Sequence, residues 1–378
     1  MIIRKTKPNT SNEISRSIRK RVFVGLSGGV DSAVSAALLK QQGYDVTGVF
    51  IKVWSPDFLP CTWREERRDA MRVAAHLDIP FLFFDFEKEY KEGVADYMIE
   101  EYKAGRTPNP DVMCNREVKF GAFWKKAKEM GADYIATGHY AQIYPRGGLG
   151  LSKPSPWILA EGRDETKDQS YFLWTLTQDD LSHTLFPVGD LEKSEVRKLA
   201  QKFKLPVAAK KDSQGICFIG EVTLEEFLSE FVEAKPGNVL NTRGEVIGSH
   251  KGAIYFTIGE RRGFDIRVKS PHDHAFYVVS KDMKKNTITV SNDQEEIKSL
   301  APVSIRLKGL NFIREETDLS DISGRIRHRG QKKPVRLENI NGETIVHFEE
   351  PVVGLSLGQS IVFYKGPECL GGAIMDQF

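Results

Sequence analysis

The feature that most constrains this chain is one eight-residue stretch, Gly25-Leu26-Ser27-Gly28-Gly29-Val30-Asp31-Ser32. An apolar run, Val22-Phe23-Val24, precedes it, and apolar residues at the spacing of a helix face follow it. A strand, a glycine-rich turn and a helix N-terminus in this order form an anion site, because backbone N–H groups and the positive end of the helix dipole face the ligand. The stretch therefore predicts phosphate binding, with hydroxyl donors at Ser27 and Ser32 and a Mg²⁺-holding carboxylate at Asp31.

The stretch differs from the phosphate loop of the Walker A class. That motif requires Gly-Lys-Ser/Thr after a four-residue spacer, and the chain contains no Gly-Lys pair. An ordinary glycine-rich turn between a strand and a helix is the alternative for a bare Gly-Gly pair. The complete motif Ser27–Ser32 between a strand and a helix favours the phosphate site.

Residues 22–145 alternate strand-like and helix-like patterns. The predicted strands cover 22–24, 46–54, 80–86 and 134–137. This alternation predicts an α/β fold, with a parallel sheet and helices on both of its faces. Ligands of such sheets bind beyond the carboxyl ends of the strands, so we expect adenine or ribose contacts near Ile51 and Gly138, at the same edge as the glycine-rich stretch.

Two polar loops carry the thiols of interest. The first, residues 105–115, has two prolines within three residues, which stiffen the chain, and it presents Asp111 and Cys114 three positions apart. A small buried hydrophobe is the alternative for Cys114, because burial is the commonest fate of a cysteine outside a disulfide. The second loop surrounds Cys217, where a nearby Lys-Lys pair would lower the thiol pKa and favour the thiolate.

The rest of the chain predicts two further modules. The pattern from 160 to 205 is helical, and after about residue 222 short β-like runs dominate, one of them from Ala253 to Ile258. The Asn341-Gly342 pair between two such runs predicts a hairpin. We therefore divide the chain into a basic arm over 1–21, a catalytic domain over 22–221, a small mixed module over 222–297 and a β-barrel over 298–378.

Residues 325–333 concentrate arginine and lysine within the predicted barrel. Such a run in an aromatic-bearing barrel predicts a phosphate-contact face for RNA. A solvated, charged strand is the alternative. The net charge of the whole chain is only +2, so any RNA surface must be local.

Composition is that of a soluble globular protein. No apolar run approaches the roughly 20 residues of a membrane helix, so we expect no membrane partner. None of the four cysteines forms a Cys-x-x-Cys pair, so no metal ligands are predicted. A reducing, cytoplasmic location fits this cysteine usage. The basic residues before the first strand predict a disordered arm, with an organelle transit peptide as the alternative.

These motifs together resemble those of the tRNA-specific 2-thiouridylases, the MnmA family of N-type ATP pyrophosphatases. The resemblance covers the chain from residue 21, and the motifs follow the family's order. They are Gly25–Ser32, Gly105–Asn115, Thr137–Tyr140, Lys167–Tyr171, Asp212–Gly220 and Gly358-Gln359. The resemblance implies the PP-loop fold, similar to the adenine nucleotide α-hydrolases, for the catalytic domain and a tRNA-binding role for the barrel.

The resemblance implies a transferase that converts the wobble uridine (U34) of tRNA to 2-thiouridine. ATP, with Mg²⁺ and without a tightly bound cofactor, adenylates the uracil O2, and pyrophosphate leaves. Sulfur arrives from a relay donor protein as a persulfide on Cys217. It attacks C2 directly, or as hydrosulfide after Cys114 forms a disulfide with Cys217. Asp111 matches the family's base, and the implied substrates are the lysine, glutamate and glutamine tRNAs.

The resemblance also assigns binding residues. ATP binding falls on Gly25–Ser32, Ile51 and Gly138. Asn109, Pro110 and Asp111 would line the flipped-out uridine, since chemistry on a base requires that it leave the stack. The implied tRNA contacts are His139, Lys167, Asp168, Gln169, His328, Arg329 and Gln359.

The chain departs from the family's pattern at two positions. Ile51 stands where Met is expected in the adenine pocket, and Glu260 stands where Gln is usual. Both Ile and Met are apolar, so ATP binding is still expected. The role of the module around Glu260 stays open.

Two other functions compete with this interpretation. A small-molecule ligase or synthetase of the same superfamily would explain the Ser27–Ser32 motif, but it would explain neither the two loop thiols nor the basic run. ATP turnover without RNA would favour it. A non-catalytic RNA-binding protein with a relic loop would leave Asp111, Cys114 and Cys217 unexplained.

Overall fold

The computed structural model describes residues 19–58, 63–146, 156–212, 223–267, 274–315 and 317–378. Up to residue 212 the elements are β1 (Arg21–Gly25), α1 (Val30–Gln41), β2 (Asp45–Lys52), α2 (Trp63–His76), β3 (Phe81–Asp85), α3 (Glu87–Tyr90), α4 (Asp96–Lys103), α5 (Pro110–Cys114), α6 (Phe123–Glu129), β4 (Tyr134–Ala136), β5 (Ala141–Pro145), β6 (Trp157–Glu161), α7 (Gln178–Ser182), β7 (Thr184–Leu185) and α8 (Lys193–Lys202). Two π-helical segments, Lys91–Ala95 and Asn115–Ala122, join α3 to α4 and α5 to α6 without a break. Across these ranges, no helix is both long and apolar enough to span a bilayer.

Five strands form one parallel sheet in the order β3-β2-β1-β4-β7, which confirms the predicted α/β fold. Along β1, Val22 and Val24 pack against α1, α2 and α8, whereas Phe23 packs on the opposite face against α5 and α6. The chain order reverses at β1, with β2 and β3 on one side and β4 and β7 on the other. The turns after β1 and β4 therefore meet at a switch point, where ligands of such sheets bind.

The helix expected over 160–205 is only partly present. Trp157–Glu161 is the strand β6, and the helical spacing belongs to α8, which begins at Lys193. After β6, Asp164 accepts hydrogen bonds from the backbone N–H and the hydroxyl of Thr166, at 3.0 and 2.7 Å, which holds a turn. Pro187, which has no N–H, further interrupts the segment.

A second, five-stranded sheet follows in the order β10-β9-β8-β12-β11. The elements are α9 (Leu224–Ser229), β8 (Gly237–Leu240), β9 (Val246–His250), β10 (Phe264–Ile266), β11 (Tyr277–Asp282), β12 (Thr287–Ser291) and α10 (Gln294–Ser299). The strand predicted from Ala253 to Ile258 is wrong, because Ala253–Tyr255 forms a 3₁₀ turn. The Asn286 side-chain oxygen accepts from the Ala253 N–H at 2.9 Å, where a strand would need a neighbouring backbone.

The C-terminal strands close into a barrel in the order β13-β16-β15-β14-β17-β18, and β18 pairs back with β13. They are β13 (Ser304–Phe312), β14 (Ser323–Arg325), β15 (Lys333–Ile340), β16 (Glu343–Phe348), β17 (Ser360–Lys365) and β18 (Glu368–Gln377). The hairpin predicted at Asn341-Gly342 is confirmed, with φ values of 53° and 86°. Positive φ at both residues is typical of the two-residue turn that suits the twist of a hairpin.

Part of the barrel packs into the core of the catalytic region, whereas the barrel interior forms a cluster of its own. β18 also pairs with β6, so the β5–β6 hairpin extends the sheet of the barrel into the catalytic region. Tyr171 and Trp174 of the catalytic region and Tyr364 of the barrel are at most 2% exposed and pack in the same cluster. The strand patterns of the sequence did not indicate this continuity.

Candidate active site

The glycine-rich stretch turns between β1 and α1 as predicted. The Ser27 and Ser32 hydroxyl oxygens lie 3.2 Å apart, and Ser32 also donates to the Gly29 carbonyl oxygen at 3.3 Å. The Gly29 N–H donates to the Ser27 hydroxyl at 3.3 Å. α1 begins at Val30. The first N–H groups of a helix have no partner within it, so this turn has the donors that an anion site needs.

Two glycines allow this turn to pack closely. Gly28 has φ +73°, and a Cβ there would lie 2.5 Å from the Glu66 carbonyl oxygen of α2. A Cβ on Gly138, after β4, would lie 2.7 Å from the Ser32 nitrogen. Gly138 therefore lies directly against the nucleotide loop (Gly25–Ser32), where ATP binding was predicted. Ile51, near the end of β2, lies on the same sheet edge.

Lys193, which the sequence patterns did not single out, lies against the carboxylate of the nucleotide loop. Its Nζ is 2.7 and 2.8 Å from the two oxygens of Asp31 and 2.9 Å from Oδ1 of Asp212. The Tyr140 hydroxyl also donates to Asp31, at 2.8 Å. A lysine at the first position of a helix interacts unfavourably with the helix dipole. This is the only local signal in the sequence that could have identified Lys193 as a functional residue.

The Asp212 carboxylate forms ion pairs with three cations beside the nucleotide loop. Lys167 and Lys193 each lie 2.9 Å from its carboxylate, and Arg197 also donates to it. Partial burial alone would raise the pKa of Asp212, but the hydrogen bonds from Lys167 and Lys193 outweigh it and lower that pKa below its ordinary value. The carboxylate therefore stays ionised. Lys167, predicted to contact tRNA, ends in this ion pair.

Asp111 and Cys114 lie on the short helix α5 and not in the loop that we expected. The Asn109 side-chain oxygen accepts from the Val112 N–H at 3.3 Å, and Pro110 occupies the first turn, where a missing N–H costs nothing. An Asn-Pro pair thus starts a helix here. A spacing of three on a helix places Asp111 and Cys114 on the same face.

Cys114 is buried, whereas Asp111 is only partly buried. Cys114 is 2% exposed, as the buried alternative for it predicted, so a reagent reaches its Sγ only when the surroundings open. Burial raises the pKa of Asp111, and the nearby charges of Lys119 and His328 offset part of the rise. A raised pKa makes the Asp111 carboxylate a stronger proton acceptor, as a base requires.

The α5-to-α6 helix reaches the edge of the sheet where the nucleotide loop lies. The Phe120 ring is 5.7 Å from the His139 ring, and Phe123 lies 3.7 Å from the position of a Cβ on Gly25. The end of α6 leads back to the start of β4, so α5 lies beyond the carboxyl ends of the strands. The helix run from α5 to α6 therefore approaches the carboxyl edge of the sheet from the face opposite to α1.

Two residues predicted to contact tRNA are buried in the protein. Asp168 is 4% exposed, and its carboxylate accepts from the Gly162 and Ser170 N–H groups and, at 2.9 Å, from Arg325 of the barrel. His139 is 7% exposed, and burial, with the charge of Lys119, lowers its pKa well below the ordinary value. These two assignments stay predictions, and a direct contact would require local opening.

Three others are hydrogen-bonded within the fold. The Tyr140 N–H donates to the side-chain oxygen of Gln169 at 3.0 Å. His328 Nε2 is 2.9 Å from the Asp168 carbonyl oxygen, and Gln359 donates to two carbonyls of the loop before α5. Each holds the catalytic region together or fastens it to the barrel.

Some residues of the basic run 325–333 form contacts within the protein, and others are exposed to solvent. Arg325 and Lys332 pair with Glu161 of β6, at 2.8 and 2.6 Å. Arg327 donates to two carbonyl oxygens in neighbouring segments. Arg327 and Arg329 are both exposed, but Arg327 is engaged by those carbonyl oxygens, so Arg329 is the better placed of the four cations for a phosphate contact.

Of the other three cysteines, one lies in the core and two lie outside the described residues. Cys369 is 1% exposed, and burial raises the pKa of its thiol to about 12, as is typical of a cysteine that packs in a core. Cys217, with the motif residues after Asp212, and Cys61 lie outside the described residues, so the activation of Cys217 and its pairing with Cys114 stay predictions. In the described part of the chain, no three His, Cys, Asp or Glu side chains are grouped to hold a metal ion.

Comparison with known proteins identifies the family. Three domain families match in chain order, described as a tRNA methyl transferase HUP domain (20–221), a tRNA methyl transferase PRC-barrel domain (225–292) and an aminomethyltransferase beta-barrel domain (303–375). The tRNA-specific 2-thiouridylase MnmA of Lactococcus lactis subsp. cremoris (strain MG1363) is 45% identical over 363 residues, 94% of each chain. The MnmA of Lysinibacillus sphaericus (strain C3-41) is 44% identical over 362 residues, also 94% of each chain. The chain belongs to the MnmA family.

The domain descriptions mention methyl transfer, whereas these MnmA relatives match nearly the full length, and the full-length match decides the family. A solved U34-tRNA thiolase, NcsA from Methanococcus maripaludis, is 16% identical over 56% of this chain and 62% of its own. Its TM-score of 0.34 is too low to bear on the fold or the function.

The two departures from the usual MnmA pattern lie among the described residues. Ile51 packs against the core of the catalytic region and keeps the position apolar. Glu260 accepts from the Thr257 N–H at 3.0 Å, and the Thr257 hydroxyl lies 3.1 Å from that of Thr107, just before α5. The central module of this MnmA protein thus supports the loop that leads into α5.

Proposed function

We propose that this protein is a tRNA-uridine 2-sulfurtransferase that uses ATP to convert the wobble uridine of tRNA to 2-thiouridine. The observation that carries the proposal is that the continuous helix run from α5 to α6, which bears Asp111 and Cys114 at its start, meets the residues beside the nucleotide loop: Phe123 lies 3.7 Å from the position of a Cβ on Gly25, and the Phe120 ring lies 5.7 Å from the His139 ring. A base held against α5 would present its O2 toward a nucleotide held by Gly25–Ser32.

The first step activates the base. The uracil O2 attacks the α-phosphorus of ATP, an O–P bond forms, and pyrophosphate leaves with the electrons of the broken bond. The nucleotide loop would hold the phosphates, and Asp31 would hold a Mg²⁺, which would offset the negative charge of the phosphates. Ile51 and Gly138 border the adenosine. The step converts a poor leaving oxygen into AMP.

The second step transfers sulfur. The terminal sulfur of a Cys217 persulfide attacks C2, and AMP leaves. The Cys114 thiolate then attacks Cys217 Sγ, which breaks the S–S bond, releases 2-thiouridine and leaves a Cys114–Cys217 disulfide. In the other order, Cys114 attacks first, and the released hydrosulfide attacks C2. In either order Cys114 is oxidised, and a thiol reductant must restore the pair. Asp111 takes up the proton of the attacking species.

The substrates and partners belong to the same proposal. The target uridine is flipped onto Asn109, Pro110 and Asp111, because reaction at C2 requires that the base leave its stack. Exposed Arg329 of the barrel contacts the tRNA backbone. Lysine, glutamate and glutamine tRNAs are the proposed substrates, a relay protein supplies the persulfide sulfur, and the reaction takes place in the cytoplasm.

The test is one incubation. The protein, ATP, Mg²⁺, a sulfide donor and unmodified tRNA are combined, and the digested nucleosides are analysed by mass spectrometry. ATP-dependent 2-thiouridine at the wobble position would support the proposal. Pyrophosphate release without RNA and without any thiolated nucleoside would overturn it in favour of a small-molecule acceptor. Cys114→Ser and Cys217→Ser should form no 2-thiouridine, and Cys61→Ser, at a thiol with no proposed role, is their control.

A further inference from the structure

We propose that Gln359 of the barrel is a positioning residue for the target-base loop, residues 106–111, and that the barrel thereby sets the place of Asp111. The inference rests on the role proposed above for this loop in thiolation. It assigns to the barrel a part in the chemical step in addition to tRNA binding.

Gln359 holds the target-base loop by its backbone. Its side-chain nitrogen donates to the Thr107 carbonyl oxygen at 2.9 Å and to the Pro108 carbonyl oxygen at 3.1 Å. In the opposite direction, the Thr107 N–H donates to the Leu357 carbonyl oxygen at 2.7 Å. Both amide hydrogens of Gln359 are therefore engaged by the loop.

The turn that carries Gln359 packs directly against the backbone of the target-base loop. Gly358 has φ +89°, and a Cβ there would lie 3.0 Å from the Thr107 nitrogen and 3.0 Å from the Arg106 Cβ. Only glycine combines this conformation with so close an approach. Two segments that are far apart in the chain therefore pack closely here, since the Gln359–Thr107 hydrogen bond spans 252 positions.

The turn is itself held firmly from both sides. The Gly358 N–H donates to the Met375 carbonyl oxygen at 2.8 Å, and the Met375 N–H donates to the Gln359 carbonyl oxygen at 2.9 Å. On the other side, the buried Tyr171 hydroxyl donates to the Ser360 carbonyl oxygen at 2.8 Å. A donor that is fixed in this way can define the position of a loop.

The loop depends on such outside donors. Pro108 and Pro110 have no N–H, so the loop forms few hydrogen bonds of its own. Asp111 follows directly after Pro110, at the N-terminus of α5 capped by Asn109. A displacement of Thr107 and Pro108 would therefore shift the start of α5 and the Asp111 carboxylate with it.

The resemblance implies instead that Gln359 contacts tRNA, and the two roles have different consequences. A tRNA contact would act on the dissociation constant of the complex. A positioning residue would act on the rate of thiolation at saturating tRNA and on the order of the loop without tRNA. The two quantities can be measured on the same variants.

The experiment uses Gln359→Met, which keeps the length of the side chain and removes both donors, with Gln294→Met, exposed on α10, as the matched control. We expect kcat for thiolation to fall about 10- to 100-fold, the size of effect that a misplaced catalytic group produces. The Kd for tRNA should not change. Amide hydrogen exchange of the peptide spanning 105–114 should become faster in the free protein, whereas exchange of β15 and β16 should not.

Each outcome of these three measurements either supports or overturns the positioning role of Gln359. A raised Kd with unchanged kcat and unchanged exchange would overturn the proposal and leave Gln359 as a tRNA contact. No change in any of the three would also overturn it. Faster exchange with unchanged kcat would support the restraint of the target-base loop by Gln359. It would overturn the role given to that loop in the proposed reaction. If Gln359→Met does not fold, Gln359→Asn, which keeps the amide but is too short to reach both carbonyls, is measured in its place.

Discussion

The ammonium group of Lys193 lies 2.7 and 2.8 Å from the two carboxylate oxygens of Asp31, in the loop where the phosphates of ATP are expected to bind. Lys193 also contacts Asp212, so one cation balances two carboxylates. Its side chain is only 14% exposed, and water therefore screens these pairs weakly. The charge of the nucleotide site thus depends on a residue from α8.

Replacing Lys193 should weaken ATP binding. Lys193→Met would leave Asp31 without its cation, whereas Asp212 would keep Lys167 and Arg197, and the uncompensated Asp31 carboxylate would repel the phosphates. Loss of a charge-assisted contact of about 1.5–3 kcal/mol corresponds to a rise in Kd for ATP of about 10- to 100-fold. Isothermal titration with a non-hydrolysable ATP analogue measures it. Lys198→Met, exposed on the same helix, is the control. Equal affinities in the two variants would contradict the prediction.

Replacing the sulfur-bearing thiol should separate the two steps of the proposed reaction. In Cys217→Ser, tRNA-dependent pyrophosphate release should persist, because adenylation uses the nucleotide loop, whereas 2-thiouridine should not form. Pyrophosphate release and nucleoside mass spectrometry on the same samples measure both steps. If adenylation also disappears, the Cys217 thiol has a structural role instead.

Arg329 should contribute to tRNA affinity through charge alone. It is exposed, so Arg329→Ala should weaken tRNA binding and reduce the slope of log Kd against log salt by about one, as expected for one lost phosphate contact. Binding titrations at several salt concentrations give the slope. An unchanged slope would remove Arg329 from the interface.

Arg325, four residues earlier, should behave in the opposite way. Its guanidinium pairs with Glu161 and Asp168, and the side chains of Arg325 and Asp168 are 13% and 5% exposed. Arg325→Met would leave the buried Asp168 carboxylate without its cation, whereas Glu161 would keep Lys332. Removing one partner of a buried pair costs about 3–5 kcal/mol of the free energy of unfolding. Urea unfolding measures this loss. A stability equal to that of Arg329→Ala would show that the pair is dispensable.

Asp111 should reduce stability at neutral pH. Burial raises its pKa above the ordinary 3.8, so above that raised pKa the ionised carboxylate destabilises the folded state. Below 3.8 the carboxyl is neutral in both states and the penalty is absent. Asp111→Asn should therefore raise the free energy of unfolding near neutral pH, with a gain that shrinks as the pH falls toward 4, while thiolation is lost. Urea unfolding across this pH range tests it, and a pH-independent difference would contradict it.

Much of the fold could be predicted because its signals are local. The apolar strand before Gly25, the glycines of the nucleotide loop and the Asn341-Gly342 turn each specify their own backbone. The helical pattern predicted over 160–205 was only partly correct, because the apolar helix spacing belongs to α8 and the segment before it contains turns. The strand predicted from Ala253 was wrong because a side chain from Asn286 replaces the neighbouring strand.

The site was harder to predict, because its contacts join distant segments. Lys193 is 162 positions from Asp31, and Gln359 is 252 from Thr107, so no local spacing reveals either pair. A run of basic residues likewise does not show which of its members are paired. The structure separates exposed Arg329 from buried Arg325, although both belong to the same run.

The strand β18 has a consequence for how the protein is made. It closes the barrel against β13, pairs with β6 of the catalytic region, and through Met375 holds the turn that carries Gln359. It also follows all of these partners in the chain, so it leaves the ribosome after them. During synthesis the nucleotide loop can form early, whereas the target-base loop is fixed only after β18 has emerged. A nascent or prematurely ended chain would then bind nucleotide without a completed pocket for the base, and it could not modify tRNA before the fold is complete.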